Sequence, residues 1–287
     1  MKIIKAAGGL GSQMFAYALY LSLENKYGSK ERVVFDTSFF EDYEQHNGYE
    51  LDRLFNIKTT DASPFAKAIS RNEQFLFRKI RKLAFKTIDA KHRNYNFDER
   101  AFTHKHAVYN QAWTSWKYFT DCESLVCKTF KFPEFTEPKN LAVFEQIKET
   151  NSVAIHVRRG DYLNVPAING LAPLSYYRKA VEHIESQIDS PTFFIFSDDI
   201  AWCKEHLNLE KVVYIDWNTK AESYRDMQLM SLCKHNIIPN SSFSWWGAYL
   251  NSNSDKIVVC PEKWGRLELG LELKDMNYPG WIIQKNT

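Results

Sequence analysis

What this 287-residue chain lacks narrows it first. Its five cysteines (122, 127, 203, 233 and 260) are odd in number and contain no Cys-x-x-Cys. That excludes a disulfide framework and suits reduced thiols in a cytoplasmic protein. No apolar run approaches the ~20 residues of a membrane span. The opening run Met1-Lys-Ile-Ile-Lys-Ala-Ala-Gly8 is too short for a signal peptide. The net charge is only +2, so there is no global pull towards nucleic acid. The chain has no internal repeat, no low-complexity tract, no P-loop and no Asp-x-Asp. A glycine turn at Gly8-Gly9-Leu10-Gly11-Ser12-Gln13 lacks the third glycine of the dinucleotide fingerprint.

What is present centres on Ser152-Val-Ala-Ile-His-Val-Arg-Arg-Gly-Asp-Tyr162. Val153, Ile155 and Val157 alternate with Ala154, His156 and Arg158, as in a strand. Gly160 then breaks the run and Asp161 follows. In an open α/β sheet, ligands sit beyond the carboxyl ends of strands. A histidine, two arginines and a carboxylate there point to an anion site. Arg158 is expected to grip the ligand, because a guanidinium makes two parallel, charge-assisted bonds to phosphate. Arg159 is a second contact or a brace.

The second half alternates strand and helix throughout. Thr192–Ser197 reads as a buried strand that ends in Asp198-Asp199. These aspartates either accept from a base or ribose or cap the next helix. Asn236–Pro239 is another strand, and Asn240-Ser-Ser-Phe-Ser-Trp-Trp-Gly-Ala-Tyr-Leu250 follows it. Asn240, Ser241, Ser242 and Ser244 precede a helix whose start offers N–H donors to phosphate. The loop 163–174 carries Pro166, Gly170 and Pro173 and is expected to be mobile over the site. These features describe a nucleoside-diphosphate site without a P-loop.

In the first half, Lys2–Ala6 reads as a strand, Met14–Tyr27 as a helix and Arg32–Asp36 as a strand. Pro64–Lys86 has helical spacing and opens a basic region. From Lys67 to Lys105 there are 11 Lys/Arg against 4 acids. Two readings are open: a solvated face, or contact with an anionic membrane or a lipid-pyrophosphate acceptor. The aromatics at 111–119 fit either a sugar floor or a core. Phe132–Pro138 is a turn-rich linker that divides an N-terminal domain (1–137) from a C-terminal one (138–287).

These segments together resemble the bacterial α-1,2-fucosyltransferases of glycosyltransferase family 11. The resemblance rests on Gly8–Ala18, His156–Tyr162, Phe196–Asp199 and Asn236–Asn251. Shorter echoes lie at Tyr49–Ile57, Ser115–Phe119 and Ser175–Ala180, and one departure is Ser12, where the family usually has Asn. The resemblance implies an α/β fold of GT-B type, with two Rossmann-like domains facing a cleft. The N-terminal domain would take the acceptor and the C-terminal one the GDP-sugar. The implied reaction moves L-fucose from GDP-β-L-fucose to the 2-hydroxyl of a terminal galactoside, with inversion and without metal or cofactor.

By the same resemblance Arg158 contacts the pyrophosphate, with His156 and Asp161 in the same site. Ser241, Ser242, Phe243 and Ser244 hold phosphate, and Asp198 or Asp199 reads guanine or ribose. Gly9, Gly11, Ser12 and Gln13 face the cleft. Asp161 is the first candidate general base and His156 the second. The acceptor would be a galactose-containing oligosaccharide or lipid-linked glycan of surface-polysaccharide or O-antigen biosynthesis. The setting is cytoplasmic, with or without peripheral contact at the inner membrane face. Rival readings are transfer of another GDP-sugar and a non-catalytic sugar-nucleotide or glycan-binding module.

Overall fold

The computed structural model describes residues 1–42, 46–57, 62–71, 74–110 and 112–286. The chain divides into two units, Met1–Pro133 and Glu134–Thr287. In the first, β1 (Lys2–Lys5) leads into α1 (Leu10–Tyr27) and β2 (Val33–Asp36). Then come α2 (Leu51–Phe55), α3 (Pro64–Arg71), α4 (Phe75–Ala84), β3 (Lys86–Asp89), β4 (Ala107–Asn110) and α5 (Glu123–Thr129). The four strands are parallel in the order β2-β1-β4-β3. Ile3, Val34 and Val108 of the sheet pack on Ala66 and Ile69 of α3, with Phe77 and Ile80 of α4 at the margin.

Two readings of this unit change, and one open alternative narrows. The helical spacing from Pro64 to Lys86 resolves into α3 and α4, and Lys86 opens a strand instead of closing a helix. Phe75, Leu76 and Leu83, which belonged to that apolar spacing, face outward, because Phe77 and Ile80 already fill the inner side of α4. In the aromatic stretch Trp113, Tyr118 and Phe119 are buried in the core while Trp116 is partly exposed; its first residue, Gln111, lies outside the described residues.

The second unit runs α6 (Pro138–Glu149), β5 (Asn151–Val157), α7 (Leu174–Gln187), β6 (Pro191–Ser197), α8 (Ile200–His206) and β7 (Val212–Ile215). It continues with α9 (Tyr224–Leu232), β8 (His235–Ile237), α10 (Ser242–Tyr249), β9 (Val258–Pro261) and β10 (Ile282–Gln284). All six strands are parallel, in the order β10-β9-β8-β5-β6-β7. The tail contributes an edge strand, β10. Val153, Ile155 and Val157 of β5 face Tyr176, Tyr177, Ala180 and Ile184 of α7, joined by Phe193, Ile195, Ile237 and Val259. Each such buried side chain contributes ~1.5–3 kcal/mol over exposure. On α9 the inward residues are Met227, Leu229 and Met230, while Leu232 is exposed.

The order of this sheet fixes where a ligand belongs. From β5 the chain goes to β6 and β7 on one side, then returns to β8 on the other. The carboxyl ends of β5 and β8 therefore flank the topological switch point, where open α/β sheets leave a crevice. Among the described residues no helix is long and apolar enough to cross a membrane.

Candidate active site

Strand register brings the first two motifs together. Val157 pairs with Ser197, so the residues just beyond, Arg158 and Asp198, emerge side by side. Arg158 Nε donates to Asp161 Oδ1 at 2.8 Å and lies 3.2 Å from Asp198 Oδ2. Burial pulls its pKa down, but the Asp161 hydrogen bond and the Asp198 charge outweigh that and raise it. The terminal guanidinium nitrogens make no hydrogen bond to any described residue. Its charge is thus fastened through Nε, and the two-pronged end stays free for an acceptor.

Arg159 is held differently. Its backbone N–H donates to Asp198 Oδ1 at 2.9 Å and its Nε to Asp199 Oδ2 at 3.1 Å. The guanidinium lies 4.3 Å over the Trp202 ring, which stacks on His206 at 4.8 Å. Asp199 also caps α8, accepting from Trp202 N at 3.1 Å. That backbone bond, with Arg159, holds its carboxyl below the usual range despite the opposing effect of desolvation. The capping alternative for the aspartates is therefore seen for Asp199, and both carboxylates support arginines. Gly160 leaves room for this carboxylate: a Cβ there would come 2.7 Å from Asp198 Oδ2 and push it from its place.

His156 points the other way in its chemistry. It is 5% exposed, and its ring centroid is 5.8 Å from that of Phe243. Burial, and then the Arg158 charge, lower its pKa to about 3. Burial thus favours the neutral imidazole, which argues for Asp161 ahead of His156 as the base. Its Nδ1 is buried without a hydrogen-bond partner. Asp161 sits half-exposed on a 3-10 turn, Asp161–Asn164.

The β8 motif docks beside these groups. Tyr162 donates its hydroxyl to Asn240 O at 3.1 Å, and its ring lies 5.7 Å from the Arg158 guanidinium. Burial, ahead of the opposing Ser241 hydrogen bond, raises the pKa of this phenol. Asn240 spends its side-chain amide on Ile168 O at 3.1 Å. The helix α10 begins without a side-chain cap at Ser241, so its first-turn N–H groups are not closed off by a capping hydroxyl. Ser242 and Phe243 are partly exposed there, whereas Ser241 and Ser244 are buried. Trp245 and Trp246 are packing residues, fully buried, with Trp245 Nε1 bonded to Met276 O at 2.8 Å.

A pocket of about 260 Å³ opens between Arg158, Arg159, Tyr162, Trp202 and the loop 163–174. That is below the ~300–1,000 Å³ of a full ligand site, so it fits a ring and not a whole nucleotide-sugar. The loop, expected to be mobile, is tied down. Arg266 donates from N to Ala167 O (3.0 Å), from Nε to Pro166 O (3.1 Å) and from Nη2 to Asn169 O (3.0 Å). Sequence reasoning missed Arg266 and Trp202, and it gave no role to Tyr162, the last residue of the central motif.

Gly9, Gly11, Ser12 and Gln13 belong to the first unit, at the carboxyl end of β1. Since β1 lies between β2 and β4, this too is a switch point. Gly8 turns with φ +77°, a conformation that suits glycine. Leu10 through Gln13 already form the first turn of α1, so the helix starts four residues ahead of the expected Met14. Gln13 is buried; its Nε2 donates to Gly8 O (3.0 Å) and Gly48 O (2.8 Å), and its Oε1 accepts from Glu50 N (3.0 Å). Both donors being used, this side chain braces the loop and has none left for a ligand. Among the described residues no group of three or more His, Cys, Asp or Glu could hold a metal.

The fold is of GT-B type, and arginines and an uncapped helix start flank the switch point of its C-terminal sheet, where an anion can be held. Residues 136–285 match the model of Glycosyl transferase family 11. The chain is 32% identical to the Escherichia coli alpha-1,2-colitosyltransferase, covering 93% of this chain and 98% of that one. It is also 32% identical to the Escherichia coli O-antigen biosynthesis glycosyltransferase WbnK, covering 90% and 93%. The fold is shared with NodZ alpha-1,6-fucosyltransferase of Bradyrhizobium, co-crystallized with GDP, at a TM-score of 0.53 and 15% identity over 86% and 90% of the two chains. The chain belongs to glycosyl transferase family 11.

Proposed function

We propose that the protein is a galactoside 2-alpha-L-fucosyltransferase. It moves L-fucose from GDP-β-L-fucose to the 2-hydroxyl of a terminal galactoside, with inversion. The observation that carries this is Arg158, fastened by Nε to Asp161 and Asp198 with its two-pronged end free beside the α10 start. That arrangement suits a departing diphosphate, whose growing charge is met by fixed donors. The acceptor oxygen attacks C1 of the fucosyl ring opposite the diphosphate. The C1–O bond to GDP breaks, and GDP leaves with that electron pair. The acceptor proton goes to Asp161, whose Oδ2 is not engaged by Arg158.

The C-terminal unit holds the donor and the N-terminal unit, with Gly9, Gly11 and Ser12, serves the acceptor. No divalent ion is needed, because Asp198 and Asp199 are engaged with arginines. The free state of all five cysteines supports a cytoplasmic setting. The E. coli relative WbnK, named for O-antigen biosynthesis, supports a glycan acceptor in O-antigen assembly.

Fucose is supported by the His-Val-Arg-Arg-Gly-Asp and Asn-Ser-Ser-Phe-Ser-Trp-Trp-Gly strings. A second donor, GDP-colitose, is favoured by the full-length colitosyltransferase relative. Colitose is L-fucose without its 3-hydroxyl, so the two compete for one site. The test is GDP release on mixing the protein with either GDP-sugar and lactose, followed by linkage analysis of the product. Faster release from GDP-fucose with a 2-linked product supports the first reading. Faster release from GDP-colitose moves the assignment to that sugar, and release from neither overturns both.

A further inference from the structure

The basic stretch from Lys67 to Lys105 is not uniform. Lys67 pairs with Glu41 at 2.8 Å, Arg71 lies 3.7 Å from Asp42, and Arg100 pairs with Asp98 at 2.5 Å. Residues 74–88, by contrast, hold five basic residues and no acid. Of these, Arg81 turns inward and donates to Ile69 O at 3.0 Å. Arg78, Lys79, Lys82 and Lys86 are exposed and form no ion pair with any described residue.

The same helix exposes large apolar side chains: Phe75 at 71%, Leu76 at 61% and Leu83 at 79%. Helical spacing at 3.6 residues per turn places Arg78, Lys82, Phe75, Lys79, Leu83 and Leu76 on one outward arc. Phe77 and Ile80 on the opposite side anchor the helix to the core of its unit. Cations and apolar groups are therefore interleaved on one face instead of segregated. A solvated face gains nothing from three exposed large hydrophobics; a face that meets another phase does.

We infer that the outward arc of α4 is a docking surface for an anionic phospholipid bilayer. Phenyl and isobutyl groups sink below the headgroups, while lysine and arginine stems reach back up to the phosphates. A second copy of the chain fits poorly. A two-fold contact through α4 would set unpaired cations against cations. The ten-residue helix, about 15 Å long and ~10 Å wide, presents on the order of 150 Å², well short of the ~800 Å² per partner of a stable protein interface. The inference does not depend on which sugar the enzyme transfers.

The test is flotation of the full chain with phosphatidylcholine vesicles and with phosphatidylcholine–phosphatidylglycerol vesicles, at low and high salt. Binding is expected only to the anionic vesicles, weakening as salt screens the surface. Combined Arg78→Gln, Lys79→Gln and Lys82→Gln should lower vesicle affinity about a hundredfold, at about fivefold per cation. Phe75→Ser with Leu83→Ser should lower it by at least about tenfold. Unchanged melting temperatures confirm that both variants fold, since none of these side chains enters the core. Absence of flotation at low salt, equal flotation on neutral vesicles, or binding untouched by both variants overturns the inference. So does a dimer that the Phe75/Leu83 variant dissolves while vesicles bind no protein; that result assigns the face to a second copy.

Discussion

Replacing Arg158 by lysine separates charge from geometry. Lysine keeps the positive charge but offers a single point donor in place of a planar fork. It also loses the Nε attachments to Asp161 at 2.8 Å and Asp198 at 3.2 Å, which set the direction of the side chain. One charge-assisted hydrogen bond is worth ~1.5–3 kcal/mol, or about 10- to 100-fold in rate. Misplacement of the remaining donor costs up to ~10²-fold more. Arg158→Lys is therefore expected to lower kcat for GDP release by about 10²–10³-fold, because the interaction strengthens as the diphosphate departs. The fold should survive. The side chain is 30% exposed and its carboxylate partners reach solvent, so the loss to stability is at most ~1 kcal/mol. Initial rates of GDP release, with a thermal melt on the same preparation, decide the matter. Near wild-type turnover by a folded Arg158→Lys protein would refute the reasoning.

Three further outcomes are expected. Turnover should survive exhaustive EDTA treatment; loss on chelation with recovery on added Mg²⁺ or Mn²⁺ would make Asp198 and Asp199 candidate ligands instead. Arg266→Ala should speed amide exchange in residues 163–174 and raise the donor KM about tenfold, from two lost hydrogen bonds of ~1 kcal/mol each partly offset by solvent; unchanged exchange would show the loop to be held otherwise. Asp226, raised to about 8 chiefly by burial against the opposing Asn218 hydrogen bond, contributes stability that is present below pH ~4 and lost as pH rises through 8. His156, lowered to about 3, works oppositely and is silent above pH ~6.5. Stability should thus fall by roughly 1–2 kcal/mol from pH 6.5 to 8, and Asp226→Asn should flatten that slope in pH-dependent melts.

The site was legible where unusual chemistry is packed into a few consecutive residues. Arg158 and Asp161 stand out because an apolar strand runs straight into them, and the Asn240–Ser244 run because hydroxyls crowd a helix start. What a side chain does after emerging depends on register, which no local string carries. Asp198 and Asp199 looked alike, yet the β5–β6 pairing sets one against Arg158 while the other caps α8. Gln13 looked like a ligand contact, but its amide is absorbed by Gly8, Gly48 and Glu50. Arg266, which holds the loop 163–174, lies about a hundred residues further along the chain. The four-residue strands β3 and β4 were invisible because so short a run shows no clear alternation.

The charge balance of the site decides how an anion enters it. Two guanidinium groups face Asp161, Asp198 and Asp199, one carboxylate more than they neutralise. Net field alone therefore gives a diphosphate no welcome, and attraction must come from directed donors. The free guanidinium ends and the first turn of α10 are those donors. Of the three carboxylates, Asp199 is fixed by Trp202 N and Asp198 by Arg159 N. Asp161 has only Arg158 Nε, and it is the most exposed of the three. A phosphate that docks on the free Nη ends of Arg158 leaves the Nε bond to Asp161 Oδ1 in place, and Asp161 Oδ2 stays open to accept a proton. The same excess of carboxylate is what a divalent cation would seek, so the chelation experiment and the Arg158→Lys experiment discriminate between the two ways this site can hold a diphosphate.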